Sequence, residues 1–155
     1  MRIYPTIHDR KIRFSLIGCG RIAKNHFASI KKHAENVELV SICDVDPQAL
    51  AIAAEETGAK PFTNITRLLQ ETNADIVVLT TPSGLHPEQA VEVAEAGRHV
   101  MTEKPMATRW HDGLSMVKAC DDAKVRMFVV KQNRRNATLQ LLKRAVEQKR
   151  FGQIY

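Results

Sequence analysis

The chain has 155 residues, of which 44% are hydrophobic and 26% charged, and its formal net charge is +6. That length and balance fit one globular domain able to bury a core, and they exclude a disordered or collagen-like chain. The three cysteines (Cys19, Cys43 and Cys120) are odd in number and show no CxxC spacing, which argues against a disulfide framework and a zinc site, so no metal is expected.

Residues 1–10 are polar, lack the apolar core of a signal peptide and are expected to form a loose N-terminal extension. Short apolar runs then alternate with amphipathic stretches, which implies βαβ units and a parallel sheet. The first strand is expected over Phe14 to Ile17, entering Gly18, with a helix from about Arg21 to His33. The second strand runs from Glu38 to Cys43 and ends at Asp44. Asp46 caps the next helix, Pro47 takes its first position and Gly58 ends it. A short strand lies near Pro61 to Thr63, and Asn64 caps a helix that turns Leu68 and Leu69 inward. Ile76 to Leu79 is continuously apolar, which places it mid-sheet. Pro87 opens a helix that Gly97 closes, and His99 to Met101 is the fifth strand. A helix starting at Thr108 or a neighbour carries Trp110, Leu114 and Val117 on one face. The sixth strand is expected over Val125 to Val130, a last helix over Thr138 to Gln148, and a further strand starts within Phe151 to Tyr155.

This succession predicts an α/β fold: a doubly wound, mostly parallel sheet of the Rossmann type in three αβα layers, with strand order 3-2-1-4-5-6. Ligands bind such sheets at the carboxyl ends of the strands, beside the switch point between strands one and four. The segments that follow the strands are therefore the ones that matter.

Gly18-Cys19-Gly20-Arg21-Ile22-Ala23 is a G-x-G-x-x-A turn between a strand and a helix. Gly18 permits the tight turn, Gly20 leaves room for a pyrophosphate, and Ala23 lets the helix pack closely. Asp44 closes the second strand, where a carboxylate accepts bonds from the adenosine ribose hydroxyls. No Arg or Lys follows it, which predicts NAD over NADP as cofactor. After strand four comes Thr80-Thr81-Pro82-Ser83-Gly84-Leu85-His86, whose hydroxyls and backbone face the same crevice. His86 precedes Pro87 and can equally sit at a helix start. Glu103-Lys104-Pro105 follows strand five. Spacing alone favours a solvated surface lysine at Lys104; the alternative is a group that orients a substrate hydroxyl or takes its proton. The basic cluster Lys131-Gln132-Asn133-Arg134-Arg135-Asn136 follows strand six, while Lys143, Arg144, Lys149 and Arg150 fit a solvated helix face.

Together, the glycine turn, Thr81-Pro82 with His86, Glu103-Lys104-Pro105 and Asn133-Arg134-Arg135 resemble the glucose-fructose oxidoreductase/inositol dehydrogenase (Gfo/Idh/MocA) family, from about Lys11 to Tyr155. Thr80 to His86, Met101 to Arg109 and Val129 to Tyr155 further resemble the branch that oxidises C3 of a UDP-linked 2-acetamido-2-deoxyglucuronic acid in bacterial surface-polysaccharide (lipopolysaccharide) biosynthesis. The resemblance implies an NAD-dependent dehydrogenase with a UDP-sugar acid as small-molecule substrate. It implies Lys104 as the catalytic lysine beside the nicotinamide, and a cis peptide before Pro105. It implies a cofactor site made of Gly18, Gly20, Arg21, Ile22, Asp44, Thr81, Pro82, Ser83, Leu85, His86, Glu103, Lys104, Gln132 and Arg134.

Members of that family continue into a second domain that completes the substrate site and forms a homo-oligomer. The resemblance thus divides the chain into a dinucleotide-binding domain over 11–150 and the start of a substrate domain over 151–155. The isolated chain is expected to bind NAD without meaningful turnover. The alternatives are a non-catalytic NAD-binding module and a family dehydrogenase acting on another sugar or polyol. Nucleic acid is not expected as a partner, because no helix-turn-helix, zinc finger or aromatic platform is evident. With no membrane-length apolar run, a cytoplasmic location is expected.

Overall fold

A computed structural model describes residues 7–153. Part of the expected N-terminal extension (1–6) and the last two positions of the expected C-terminal strand (154–155) lie outside the described residues. Six strands form one sheet: β1 (Ile12–Ile17), β2 (Val37–Cys43), β3 (Lys60–Phe62), β4 (Ile76–Leu79), β5 (His99–Thr102) and β6 (Met127–Val129). Every neighbouring pair is parallel, and the order is β3-β2-β1-β4-β5-β6, as the alternation of elements predicts.

Helices α1 (Ala23–Lys32), α2 (Pro47–Thr57), α3 (Ile65–Glu71), α4 (His86–Glu95) and α5 (Trp110–Asp122) connect the strands. Period-two alternation along the strands divides the core into two layers. Leu16, Ile42 and Val78 point to one face, where Ala23 and Phe27 of α1 and Leu50 and Ala53 of α2 cover them. Ile17, Cys43, Val77 and Leu79 point to the other, against Leu68 and Leu69 of α3, Ala90, Val93 and Ala94 of α4, and Met116 and Cys120 of α5. Leu16, Val77, Leu79 and Val100 are 0% exposed, and each buried aliphatic side chain of this kind contributes about 1.5–3 kcal/mol. Between β1 and β2 the register shifts after Phe14, and the buried Ser15 and Ser41 hydroxyls meet at 2.6 Å.

The caps follow the sequence expectations. The Asp46 side chain accepts from the Gln48 amide, and Gly58 ends α2 with a φ of 69°. The Asn64 side chain accepts from the Arg67 amide. Helix α5 begins at Trp110 with Arg109, the neighbour of Thr108, at the cap. Its Trp110–Leu114–Val117 face is solvent-exposed, and the buried face is Gly113, Met116 and Cys120. Helical spacing identifies a face without saying which face meets the sheet. Gly113 lies on the covered face, where a Cβ would come within 3.2 Å of the Met106 side chain.

After β6 the chain forms a 3-10 turn, Gln132–Arg135, and then α6 (Ala137–Glu147). Helix α6 contributes no buried residue, and Leu139, Leu141, Leu142 and Val146 are all exposed. Phe151 lies in a turn rather than a strand, and Gly152 and Gln153 carry no regular structure. Among the described residues, no helix is long and apolar enough to cross a membrane.

Candidate functional site

Because every strand is parallel, the segments following β1, β2, β4, β5 and β6 emerge at one edge of the sheet. The glycine turn lies at its centre. Gly18 has a φ of 94°, and a Cβ there would stand 2.8 Å from the Thr81 nitrogen and 2.9 Å from the Thr80 carbonyl carbon. Gly18 is therefore demanded twice, by its left-handed backbone and by the chain that follows β4. The Thr80 hydroxyl reinforces that approach, donating to the Gly18 carbonyl at 2.6 Å. Gly20 is the opposite case. A Cβ on it would meet no protein atom within 4 Å, so the fold itself does not require glycine there. What a Cβ would fill is open space at the mouth of the turn.

Ala23 is 0% exposed and lets α1 press against the sheet. No side chain caps the helix at Ile22, and its first turn holds no acidic residue. The positive end of the α1 dipole thus faces the same open space, with no carboxylate from its own first turn to compete for it. Arg21 is exposed beside it, and Ile22 is half-buried.

Asp44 adjoins this turn, although it lies 25 residues further along the chain. Its Oδ2 accepts from the Cys19 amide at 2.6 Å, and its Oδ1 accepts from the Asp46 amide at 2.9 Å. A carboxylate has about four lone-pair sites, so two remain for hydroxyl donors. The Asp44 amide itself donates to the Phe62 carbonyl at 3.2 Å, which holds the end of β2 in place. The two central elements of a dinucleotide site, the glycine turn and the acid, are therefore in direct contact.

The remaining expected residues divide into those that face the crevice and those that do not. Pro82 and Leu85 are exposed, Ser83 and Thr81 half-buried, and the Thr81 hydroxyl donates to Gln89 Oε1 at 2.6 Å. Lys104 is exposed at the end of β5, and the Lys104–Pro105 bond is cis, as the resemblance implies. Glu103 does not point freely into the crevice. Its Oε1 lies 2.8 Å from His26 Nε2, and the two side chains are only 12% and 15% exposed. Gln132 and Arg134 are exposed on the 3-10 turn after β6, at the correct edge, without a polar side-chain contact to the glycine turn.

His86 is expected either to line the cofactor or to sit at a helix start; it is the first residue of α4 and is 1% exposed. Its Nε2 lies 2.9 Å from the Thr81 carbonyl, and its Nδ1 lies 3.1 Å from both the Pro105 carbonyl and the Thr102 hydroxyl. The ring shapes the crevice from beneath, with both nitrogens engaged by protein. Sequence reasoning passed over His26. Its signal was position: three residues after Ala23 it lies on the sheet-facing side of α1, where an unpartnered polar ring would be costly. The two cysteines of this edge are buried. Burial, with Asp44 nearby, pushes the Cys19 thiol up to about 12, and the same causes push Cys43 up to about 11.

Three comparisons with known proteins bear on this arrangement. A family model described as "Oxidoreductase family, NAD-binding Rossmann fold" matches residues 12–131. The crystal structure of the WlbA dehydrogenase from Chromobacterium violaceum, in complex with NADH and UDP-GlcNAcA, is 66% identical with a TM-score of 0.94, covering 100% of this chain and 45% of that one. The WlbA dehydrogenase from Bordetella pertussis, also in complex with NADH and UDP-GlcNAcA, is 65% identical with a TM-score of 0.90, covering 97% of this chain and 43% of that one. Among curated proteins, 4-carboxy-2-hydroxymuconate-6-semialdehyde dehydrogenase from Sphingobium is 34% identical over 108 residues, which are 69% of this chain and 34% of that protein. The chain thus spans less than half the length of each of these relatives.

Proposed function

This chain belongs to the Gfo/Idh/MocA oxidoreductase family with its NAD-binding Rossmann fold, and from that premise we propose that it is the cofactor-binding half of an NAD-dependent sugar-nucleotide dehydrogenase. The reaction is oxidation at C3 of a UDP-linked 2-acetamido-2-deoxyglucuronic acid, within bacterial surface-polysaccharide biosynthesis. The observation that carries this reading is the contact between the Asp44 carboxylate and the Cys19 amide at 2.6 Å, beside the open space at Gly20. The 66% identity to a dehydrogenase crystallised with NADH and UDP-GlcNAcA supports the choice of substrate.

NAD, when bound, supplies the hydride acceptor. Each of the chain's own residues has a separate task. The Cys19 amide is taken by Asp44, so the amides from Gly20 to the uncapped start of α1 receive the pyrophosphate, and the missing Cβ of Gly20 lets it approach. Asp44 accepts bonds from the ribose hydroxyls and repels a 2′-phosphate. Thr81, Pro82, Ser83 and Leu85 border the crevice on the β4 side, with Gln132 and Arg134 beyond β6. Lys104 is the catalytic residue. Its side-chain amine, beyond the end of β5, acts in its neutral form: it orients the substrate hydroxyl and takes its proton, becoming the ammonium, as the C3–H bond is broken. Glu103, tied to His26, fixes the turn that carries Lys104. The buried free cysteines fit a cytoplasmic enzyme.

Fluorescence titration of the chain with NADH and NADPH tests the reading. NADH should bind at least ~10-fold tighter, since the 2′-phosphate meets a carboxylate rather than an arginine. Asp44→Ser should erase that preference. Equal affinity in the unaltered chain, or no binding of either, would defeat the assignment.

A further inference from the structure

The proposed reading uses two loops, one after β4 that borders the cofactor crevice and one after β5 that carries Lys104. A single buried side chain joins them. His86 Nε2 is 2.9 Å from the carbonyl oxygen of Thr81, and Nδ1 is 3.1 Å from that of Pro105, the residue after Lys104. We propose that His86 is a positioning residue that couples the cofactor-side loop to the Lys104 turn by presenting one ring nitrogen to a backbone carbonyl of each, its single N–H holding one or the other. What the loops bind rests on the function proposed above; how they are joined does not.

The geometry favours this over a histidine that merely fills the core. His86 is the first residue of α4, so its backbone is fixed by the helix and its ring projects from a rigid base. Its polar partners come from three positions, 5, 19 and 16 residues away, on two different loops and the end of β5. A carbonyl can only accept, so each nitrogen that holds one must carry a proton. The Thr102 hydroxyl lies 3.1 Å from Nδ1 and 3.0 Å from the Glu103 carbonyl, and it has one proton to give. When it donates to Glu103, Nδ1–H is left to hold Pro105; when it donates to Nδ1, the ring holds Thr81 through Nε2–H. The neutral ring thus holds one carbonyl at a time, that of Pro105 in the first arrangement and that of Thr81 in the second. The site is dry enough for this to matter, because His86 is 1% and Thr102 0% exposed, and a carbonyl deprived of its donor there has no water to replace it.

Two substitutions separate the halves of the bridge. The side-chain nitrogen of Asn falls near the Nδ1 position, and that of Gln near Nε2. His86→Gln should keep the Thr81 bond and release Pro105. His86→Asn should do the reverse. Hydrogen–deuterium exchange of the 155-residue chain, resolved by segment, reads the two loops independently of any turnover. In His86→Gln, exchange over 103–107 should quicken by ~5-fold, the equivalent of one lost hydrogen bond, while 81–85 keeps its rate. In His86→Asn, exchange over 81–85 should quicken instead, and the NADH dissociation constant should rise by ~5-fold. Uniform quickening of both segments together with β1 and β4 in either variant would reduce His86 to a packing residue and overturn the proposal. So would unchanged exchange in both. Should both variants unfold, the unaltered chain still decides: a His86 ring N–H must appear by NMR as a slowly exchanging proton, and one exchanging as fast as an exposed histidine's refutes the bridge. If the exchange pattern holds but the unaltered chain does not bind NADH, the proposed function fails and the bridge stands.

Discussion

Gly18 and Gly20 stand two residues apart in one turn, yet alanine should affect them in opposite ways. At Gly18 a methyl group would lie 2.8–3.0 Å from the backbone of Thr80 and Thr81, on a residue with a φ of 94°. The left-handed backbone alone costs an L-residue about 1–2 kcal/mol, and the clash is with main chain, which cannot rotate away. Gly18→Ala should therefore lower the unfolding free energy by about 2–4 kcal/mol. At Gly20 the methyl group would meet no atom of the protein. Gly20→Ala should leave stability unchanged or raise it by up to about 1 kcal/mol, because alanine restricts the unfolded chain. Its effect should fall on the ligand. A Cβ in the path of the pyrophosphate forfeits two charge-assisted bonds of about 1.5 kcal/mol each, and about 3 kcal/mol is roughly a 100-fold loss of NADH affinity. Urea denaturation and NADH fluorescence titration measure the two quantities separately. A Gly20→Ala chain that binds NADH normally, or one as destabilised as Gly18→Ala, would refute the reasoning that the fold demands one glycine and the ligand the other.

Lys104→Ala should leave NADH affinity within about 2-fold, since the side chain is exposed and lies beyond the phosphate-binding turn. Oxidation of the UDP-sugar acid by an enzyme carrying this cofactor half should fall by about 100-fold or more, the usual range for losing a positioned acid–base group; unchanged turnover removes Lys104 from the mechanism. Asp75 is held below the usual carboxylate range by its paired bonds to Arg10 and then by the Arg13 amide, with burial opposing. A depressed folded value stabilises the protein above the unfolded value near ~3.9 and is lost as pH falls through the folded one. Asp75→Asn should accordingly cost about 1 kcal/mol at neutral pH, after allowance for the solvated Arg10 side, and flatten the acid limb of a stability–pH curve below about pH 4. Cys19, Cys43 and Cys120 are buried with raised thiol pKa values. Iodoacetamide at about pH 8 should leave all three unmodified by mass spectrometry until denaturant is added; rapid labelling of the native chain would contradict their burial.

Charge places few demands on the proposed site. The pairs Lys60–Glu71, Arg67–Glu71 and Lys118–Asp122 are exposed helix or loop pairs, of the kind that contributes little to stability. The pair that ties the site together is His26–Glu103, with both side chains nearly covered. It connects α1, which starts at the glycine turn, to Glu103, the residue preceding Lys104.

The sequence alone determined what depends on neighbours in the chain. Period-two and period-3.6 patterns identified the six strands and their helices, because side-chain direction repeats locally. Asp46 and Asn64 announced their helix starts by cap chemistry acting over two or three residues. The strand order followed because right-handed crossovers leave few alternatives. The glycine turn was legible for the same local reason. The tertiary structure decided what depends on residues far apart. The Trp110–Leu114–Val117 spacing did not say which side of α5 is covered; packing covers Gly113, Met116 and Cys120. The partners of His86 and the His26–Glu103 pair, 77 residues apart, could not be inferred from periodicity. Periodicity gives a side chain its direction; only packing gives it a neighbour, and buried polar groups take their roles from their neighbours.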